Sequence, residues 1–364
     1  MRDKHLHAII ILVLLWGTLP SASAANTTRY AFRSTYVFEN RGAEPLALSD
    51  DDATIVIFKS NEWQTVIIRN STHGVAREYT DVDGNSLAVM DFPAEIPAGG
   101  TLFFSYEYVI DAGDSPRPSI DPQQSGGLSD IPEALLGEYC GETETFRRSE
   151  EMMALAGSLT SYESTVLGMV TRVLGWIVAN VTYGNYEVPQ YPDETLAQRR
   201  GDCDDQSILL ISMLRALGIP ALLQIGVVFS GSIEGDRTSW EGHLSVEQRG
   251  IGWHGWAMVY IPPWGWLPID LTLTGSKDPL TIIAYSPEYE SFVVTAYNVS
   301  NQRYIGDSRS SRERIIASDL YVSVSDIALE EAEPNNWIGT AYTISGVLAG
   351  AAFLVYLVFS RRHG

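Results

Sequence analysis

The chain contains few cysteines and few basic residues. Its 364 residues include two cysteines, and 24 lysines and arginines stand against 45 aspartates and glutamates, giving a net charge of −21. Two cysteines allow at most one disulfide bond. The acidic balance argues against nucleic acid and against an anionic membrane surface as partners, and it indicates a self-repelling, soluble surface. With 45% apolar residues, the chain is long enough for two domains and a substantial core.

Both ends of the chain carry membrane-targeting patterns. Residues 1–24 combine a basic start, the apolar stretch AIIILVLLWGTLP and the small residues ASA, which is typical of a cleaved export signal rather than an anchor. Residues 337–360 are uncharged, and as a helix they would extend about 36 Å, enough to cross a bilayer. The Arg-Arg pair in the tail 361–364 predicts that this end stays in the cytoplasm, and a buried core helix is the alternative.

The sequence therefore predicts a single-pass protein of the cell membrane, with its bulk outside the cytoplasm. Candidate glycosylation triplets in this outer portion begin at Asn26, Asn70, Asn180 and Asn298.

Residues 28–112 consist of short β-like segments. Runs such as YAFRSTYVFEN and TLFFSYEYVI are separated by turn signals such as DVDGN and PAGG, with no helical run between them. This spacing predicts a small β-sandwich that packs or contacts partners rather than carrying out chemistry. Residues 113–144 are dense in Pro, Gly, Ser and Asp and are predicted to be a linker. Helical periodicity follows at residues 149–159 and 162–181.

The motif GDCDDQS, residues 201–207, lies at a predicted helix start. Asp202 suits the N-cap, Asp205 suits the first turn, and an apolar stripe runs on to a C-terminal cap at Gly218. Cys203 then occupies the first helical position, where the helix dipole lowers a thiol pKa and the neighbouring carboxylates raise it. A nucleophilic thiol at this position needs an imidazolium beside it.

Two downstream histidines, His243 and His254, are candidates for that group. His254 begins a strand-like run that reaches the turn PPWG, and a second run leads to Asp270. The two runs predict an antiparallel hairpin that brings His254 near Asp270, where a carboxylate orients an imidazole. Taken alone, His254 fits a core histidine and Asp270 a turn carboxylate. Cys203 has a further interpretation, a disulfide with Cys140.

These segments resemble the transglutaminase-like superfamily. In residues 196–226 a Gly-x-Cys opens a helix that ends in Leu-Gly-Ile-Pro, and residues 254–270 contain His-x-Trp followed by Gly-Trp-x-x-x-Asp. The resemblance covers roughly residues 145–275. It implies an α+β fold with a papain-like transglutaminase core. The β-rich segment before it is similar to the immunoglobulin-like β-sandwich that often precedes this core in prokaryotic and archaeal members.

The resemblance also implies roles for individual residues. Cys203 would be the nucleophile, His254 the general base and acid, and Asp270 the residue that orients the imidazole. The backbone N–H of Cys203 would be one oxyanion donor. The family's side-chain donor lies upstream of the cysteine, with Gln198 as the candidate here. Gly255 departs from the family, in which alanine is commoner at this position.

The predicted activity is attack on a peptide or carboxamide bond through a thioester, on a protein or peptide substrate at the cell surface. Hydrolysis is favoured because an outside site faces a great excess of water. A cross-linking amine transferase with the same triad, or a catalytically silent surface-binding or structural protein, are the alternatives. We predict no cofactor and no metal, and interpret the aspartates beside Cys203 as helix-start residues. Residues 276–335 are predicted to be a β-rich extension or stalk without chemistry.

Overall fold

The computed structural model describes residues 27–329, which form a mixed α+β fold. The strands are β1 (Thr27–Asn40), β2 (Leu46–Ala47), β3 (Thr54–Ile57), β4 (Gln64–Arg69), β5 (Val75–Thr80), β6 (Ser86–Met90), β7 (Glu95–Ile96), β8 (Thr101–Gly113), β9 (Thr182–Tyr183), β10 (Arg200–Gly201), β11 (Ala221–Ser239), β12 (Leu244–Ile261), β13 (Gly265–Ile269), β14 (Val293–Val299) and β15 (Leu320–Ala328). The helices are α1 (Glu133–Tyr139), α2 (Glu150–Thr160), α3 (Val166–Asn180), α4 (Pro192–Gln198), α5 (Cys203–Ala216), α6 (Pro279–Ala284) and α7 (Tyr304–Ala317).

One large sheet joins the N-terminal strands to the strands of the cysteine–histidine region. Its order is β14-β11-β12-β15-β1-β8-β4, and β13 also pairs with β12. Strand β15 lies parallel to β12 on one side and antiparallel to β1 on the other. Hydrogen bonding therefore continues across the predicted boundaries near residues 112 and 275. Those domain boundaries remain a prediction.

The N-terminal strands form because their side chains alternate between core and surface. In β1 the buried residues Phe32, Tyr36 and Phe38 recur with the period of two that a strand requires. Phe58, which follows β3, packs edge-on against Trp253 of β12, with ring centroids 5.6 Å apart. The N-terminal segment thus shares its aromatic core with the sheet that carries His254.

Two smaller sheets complete the N-terminal segment, one with the order β3-β6-β5 and one formed by β2 and β7. The predicted strand segments of residues 28–112 correspond to β1, β3, β4, β6 and β8. Strand β5 has no counterpart among them, because most of its residues are exposed and polar.

Helix α5 is packed against the large sheet and is buried along almost its whole length. The sequence predicted an apolar stripe on one side, but every residue from Cys203 to Arg215 is buried. The helix ends as predicted, since Gly218 has a φ of +78° and its N–H donates to the Arg215 carbonyl.

Residues 276–329 of the predicted β-rich extension contribute both to the large sheet and to the surroundings of the cysteine site. Strands β14 and β15 belong to the large sheet, and α7 and the turn after α6 pack against the site described below. Their sequence shows no motif because they contribute single side chains to a site built elsewhere.

Several predictions fall on residues outside 27–329. The export signal 1–24, the apolar span 337–360, the tail 361–364 and the triplet at Asn26 all lie outside the described residues. Within the described range, no helix combines the length and apolarity needed to cross a membrane.

Candidate active site

The site begins at the first turn of α5, where Cys203 is buried with 1% of its surface exposed. The Asp205 carboxylate accepts a hydrogen bond of 3.2 Å from the N–H of Asp202 and so fixes the helix start. Gly201 allows this turn to close, because a Cβ there would lie 2.6 Å from the Cβ of Asp205. The Gly-x-Cys pattern therefore has a steric cause, and it fixes the position of the thiol.

The second part of the site is the hairpin of β12 and β13. Ala257 pairs with Ile269 in the antiparallel register, so His254 and Asp270 lie at the open end. His254 Nε2 and Asp270 Oδ2 are 2.8 Å apart, and both side chains are buried. The hairpin thus brings the two predicted residues into direct contact.

Asp270 is held as a carboxylate by the groups around it. Its Oδ1 accepts hydrogen bonds from the N–H of Thr272 at 2.7 Å, the N–H of Leu273 at 3.0 Å and the Thr272 hydroxyl at 3.1 Å. Burial by itself would raise the pKa of Asp270, but the charge and hydrogen bond of His254, together with these backbone donors, lower it below its usual value.

Strand β12 passes the first turn of α5 at Gly255. A Cβ built on Gly255 would lie 3.3 Å from the Cβ of Asp204, and the Gly255 N–H acts as a hydrogen-bond donor to the Cys203 sulfur. His254 precedes Gly255, and its Nδ1 is buried without a hydrogen-bond partner among the described residues. With Nε2 engaged by Asp270, Nδ1 is the ring nitrogen that remains to act on the thiol.

The carboxylates around Cys203 oppose ionisation of its thiol. Burial raises the pKa of Cys203 well above its usual value, and the charges of Asp204 and Asp202 raise it further. The Gly255 N–H acts in the opposite direction without reversing the shift. The Cys203 thiol is therefore protonated in this arrangement, and its activation requires a base.

Asp202, Asp204 and Asp205 form a buried group at the helix start. Asp204 accepts a hydrogen bond of 2.9 Å from the Tyr304 hydroxyl of α7, and Asp205 accepts one of 2.7 Å from the N–H of Gln190. Burial first, and then repulsion within the group, raise the pKa values of Asp202 and Asp205 well above normal.

Two sets of side chains are close enough to hold a metal ion. One is this aspartate group, and the other is His254, Asp270 and Glu288. In the second set His254 and Asp270 already bind each other, which leaves a metal fewer free donor atoms. The absence of a cofactor and of a metal remains a prediction.

The remaining candidates lie elsewhere. His243 binds the Leu320 carbonyl through Nδ1 at 3.0 Å and stacks on Tyr321. Gln198 is exposed at the end of α4, and its Oε1 accepts a hydrogen bond of 2.6 Å from the Tyr186 hydroxyl. Both cysteines are free thiols, so the alternative disulfide between Cys140 and Cys203 is not formed.

The glycosylation candidates within the described range differ in accessibility. Asn70 and Asn180 are exposed, whereas Asn298 is half-buried in β14 and accepts a hydrogen bond from Gln224.

Three residues beside the site had no signal in the sequence analysis: Tyr183, Glu288 and Tyr304. Tyr183 could have been found, since it lies upstream of the cysteine, and Gly201 pairs with it in the short parallel contact of β9 and β10. Tyr183 is 36% exposed as a whole residue, yet the partial burial of its phenol, and next the charge of Cys203, raise the pKa of that group. The other two come from the C-terminal segment, where no motif marks them.

Comparisons with known proteins give the fold and the domain type. No curated protein matches this chain. The crystal structure of a "Putative Cysteine Protease" from Cytophaga hutchinsonii is 15% identical over 87% of this chain and 96% of that chain, with a TM-score of 0.50, which shows a shared fold. A "putative protease" structure from Parabacteroides distasonis is 13% identical over 67% of each chain, and its TM-score of 0.23 carries no further argument.

The family model described as the transglutaminase-like superfamily matches residues 153–271, which contain Cys203, His254 and Asp270. This range lies inside the predicted segment 145–275. The chain therefore contains a transglutaminase-like superfamily domain.

Proposed function

We propose that the protein is a cysteine hydrolase that cleaves a peptide or carboxamide bond through a thioester on Cys203. The observation that carries the proposal is the buried His254–Asp270 hydrogen bond, which leaves Nδ1 of His254 without a partner beside the strand position that contacts the thiol. An imidazole held in this way can take a proton from the thiol and later return it.

In the proposed reaction the thiol proton moves to His254 Nδ1 as the sulfur of Cys203 attacks the substrate carbonyl carbon. The C–N bond then breaks, and His254 gives its proton to the departing nitrogen. Water attacks the resulting thioester, His254 removes a proton from it, and the acid product leaves as that proton returns to the sulfur. Because the carboxylates oppose a free thiolate, proton transfer accompanies the attack rather than preceding it.

The developing oxyanion needs donors, and two groups are available. One is the backbone N–H of Cys203, which lies in the first turn of α5, where N–H groups have no acceptor within the helix. For the other we propose the Tyr183 phenol in place of Gln198, because Tyr183 interacts with Cys203 and its raised pKa keeps the hydroxyl protonated.

The location of the enzyme is also a proposal. The charge pattern of residues 1–24 and 337–364 supports a C-terminal membrane tether with the enzyme outside the cytoplasm. We further propose that the strands before residue 112 act as an immunoglobulin-like module, and that exposed Asn70 and Asn180 are glycosylation sites.

Amine transfer is a second candidate, and one observation favours it. Cys203 and His254 are 1% and 0% exposed, so these two side chains are shielded from bulk water. A thioester shielded from water survives long enough to meet a lysine amine. Incubating the protein with a peptide library, with and without an added primary amine, separates the two reactions because hydrolysis gives an acid and transfer gives a substituted amide.

The proposal is tested by pulsing the full-length protein with iodoacetamide across pH 5 to 9 and mapping the modified cysteine by mass spectrometry. We expect Cys203 to react at neutral pH, and His254→Ala to abolish that reaction. His243→Ala is the matched control, because it removes a buried histidine at the other end of β12. A Cys203 that reacts only at alkaline pH, with or without His254, would favour the binding or structural protein instead.

A further inference from the structure

Glu288 lies in the turn Pro287–Tyr289 after α6 and faces the His254–Asp270 pair. One oxygen of Glu288, one oxygen of Asp270 and one ring nitrogen of His254 lie within 4.8 Å of one another. The Ser286 hydroxyl donates to Oε2 of Glu288. Oε1 is buried and has no hydrogen-bond partner among the described residues.

Glu288 is half-buried as a residue, but its Oε1 is shielded from water and Asp270 is buried, so a charge on both carboxylates at this distance is strongly unfavourable. The groups around them decide which one keeps a proton. Asp270 accepts three hydrogen bonds on Oδ1 and the His254 contact on Oδ2, whereas Glu288 accepts one from Ser286. Asp270 is therefore the better place for the charge, and Glu288 for the proton.

Burial first, and then the charge of Glu288, raise the pKa of the adjacent Tyr289 phenol, so Tyr289 is neutral and does not compensate a charge on Glu288. Arg117 pairs with Glu290, two residues further along the chain. From the β12–β13 hairpin the titratable groups that face Glu288 are Asp270 and His254. Burial first, and then the charge of Asp270, raise the pKa of Glu288 well above its usual value.

We propose that Glu288 is a positioning residue of the thiol site, a neutral carboxylic acid whose Oε1 donates a hydrogen bond to the Asp270 carboxylate. This positioning role presupposes the cysteine chemistry proposed above. A protonated carboxyl is the one state in which Glu288 offers a donor, and Asp270 Oδ2 has a lone pair left beside the His254 contact. Glu288 would then be a fourth residue of the site, hydrogen-bonded to Asp270 as Asp270 is to His254, and it comes from the C-terminal segment.

This arrangement has a direct consequence for the site. The acid hydrogen bond would hold Asp270 in the orientation that keeps His254 Nε2 bound and Nδ1 free. Ionisation of Glu288 would place a second negative charge against Asp270 and push the two carboxylates apart. His254 would then lose its fixed orientation, so the site would weaken at alkaline pH for a reason separate from the thiol.

The protonation state is tested directly on the full-length protein labelled with [¹³C]carboxyl glutamate. The resonance that disappears in Glu288→Gln belongs to Glu288. We expect its chemical shift at pH 7 to be that of a protonated carboxyl group. A shift of an ionised carboxylate at the same pH would overturn the proposal, whatever the activity of the protein.

The positioning role is tested by the rate of Cys203 alkylation at pH 7. Glu288→Gln keeps a neutral donor. Cys203 of this variant should therefore be alkylated at close to the wild-type rate, and that rate should decline less than in the wild type as the pH is raised. Glu288→Leu removes the hydrogen-bond donor to the Asp270 carboxylate, so Cys203 of this variant should be alkylated about tenfold more slowly. Glu290→Gln, in the same stretch of chain but paired with Arg117, is the matched control and should change nothing.

The outcomes separate the two proposals. Equal losses in the Gln and Leu variants, or no loss in either, would overturn the positioning role. If Glu288→Leu does not fold, the carboxyl resonance and the Glu288→Gln variant still test the positioning role of Glu288. An unreactive Cys203 in the unchanged protein would overturn the proposed function, while the protonation state of Glu288 would still be measured independently.

Discussion

Asp270 and Asp326 are two buried aspartates of the same large sheet, and their charges are controlled in opposite directions. They are 1% and 0% exposed, so each has lost its water. Burial raises the pKa of both, yet the pKa of Asp270 is lowered overall, while that of Asp326 is raised to about 6. Burial alone therefore does not decide the direction in which the pKa of a buried carboxyl is shifted.

The difference lies in their partners. Asp270 meets the imidazole of His254 and three further donor contacts, whereas Asp326 accepts from two neutral groups, the Ser34 hydroxyl at 2.6 Å and Trp253 Nε1 at 3.1 Å. Trp253 and His254 are consecutive residues of β12 and point to opposite faces. One strand thus contacts an aspartate with a lowered pKa on one face and an aspartate with a raised pKa on the other.

Asp270→Asn is expected to have the largest effect among the substitutions at the two aspartates. The backbone donors of Thr272 and Leu273 would retain the amide oxygen, so the amide N–H₂ would face His254 Nε2. Nε2 must then accept, which leaves the ring proton on Nδ1, where it cannot take the thiol proton. We expect Cys203 alkylation at neutral pH to slow by about 10²- to 10⁴-fold. Asp278→Asn, an exposed cap of α6, is the control. A rate within a few-fold of wild type would contradict the assigned tautomer.

Arg215 extends the comparison to a buried cation. Among the described residues its guanidinium donates to the carbonyls of Ala221, Gly141 and Ser300 and to the Ser300 hydroxyl. Burial lowers its pKa to about 10, so it still carries its charge at neutral pH. Arg215→Met leaves these acceptors without a donor and should cost about 4 kcal/mol in the free energy of unfolding. The measurement is urea unfolding, with exposed Arg77→Met as control. A loss below about 1 kcal/mol would show that water replaces the guanidinium.

Local sequence was sufficient for the parts of the site whose geometry is local. The helix start at Cys203, its end at Gly218 and the hairpin contact of His254 with Asp270 follow from capping, turn chemistry and strand alternation. Gly255 is a small departure, since a Cβ there would lie 3.1 Å from Ile225 Cδ1, a contact that modest movement relieves.

The remaining features depend on contacts between distant segments. Nothing in the pattern around Glu288 or Tyr304 indicates that they reach Asp270 and Asp204, because that depends on where α7 and the turn after α6 pack. The pairing of β15 with both β1 and β12 is likewise non-local. Gln198 stays a prediction as an oxyanion donor, since distance along the chain was its only guide, and its side chain is exposed at the end of α4.

Asp326→Asn tests the aspartate whose pKa is raised. In the folded protein Asp326 has a pKa of about 6, whereas the ordinary pKa of an aspartate side chain is 3.8. Its contribution to stability is therefore greatest below pH 3.8, declines as the pH rises to about 6 and is constant above that. The cost at neutral pH is about 3 kcal/mol. Asparagine resembles the protonated acid, because Trp253 can still donate to its oxygen and the Ser34 hydroxyl can accept from its nitrogen. The variant should thus gain up to this amount relative to wild type as the pH rises, measured by urea unfolding at several pH values. Parallel curves for the two proteins would disprove the raised pKa.

The smallest effects are expected when one hydroxyl donor is removed from Asp270 or from Asp326. Thr272→Val removes the hydroxyl that donates to Asp270 Oδ1 and keeps the backbone N–H, at a loss of about 1 kcal/mol of hydrogen bonding. Cys203 alkylation should slow about fivefold, since Asp270 is held less firmly against His254. Ser34→Ala removes the equivalent hydroxyl from Asp326. It should raise the pKa of Asp326 further, extend the loss of stability to higher pH and leave the alkylation rate unchanged. If Ser34→Ala slows alkylation as much as Thr272→Val does, the two faces of β12 are coupled, and the separation of the two aspartates would have to be abandoned.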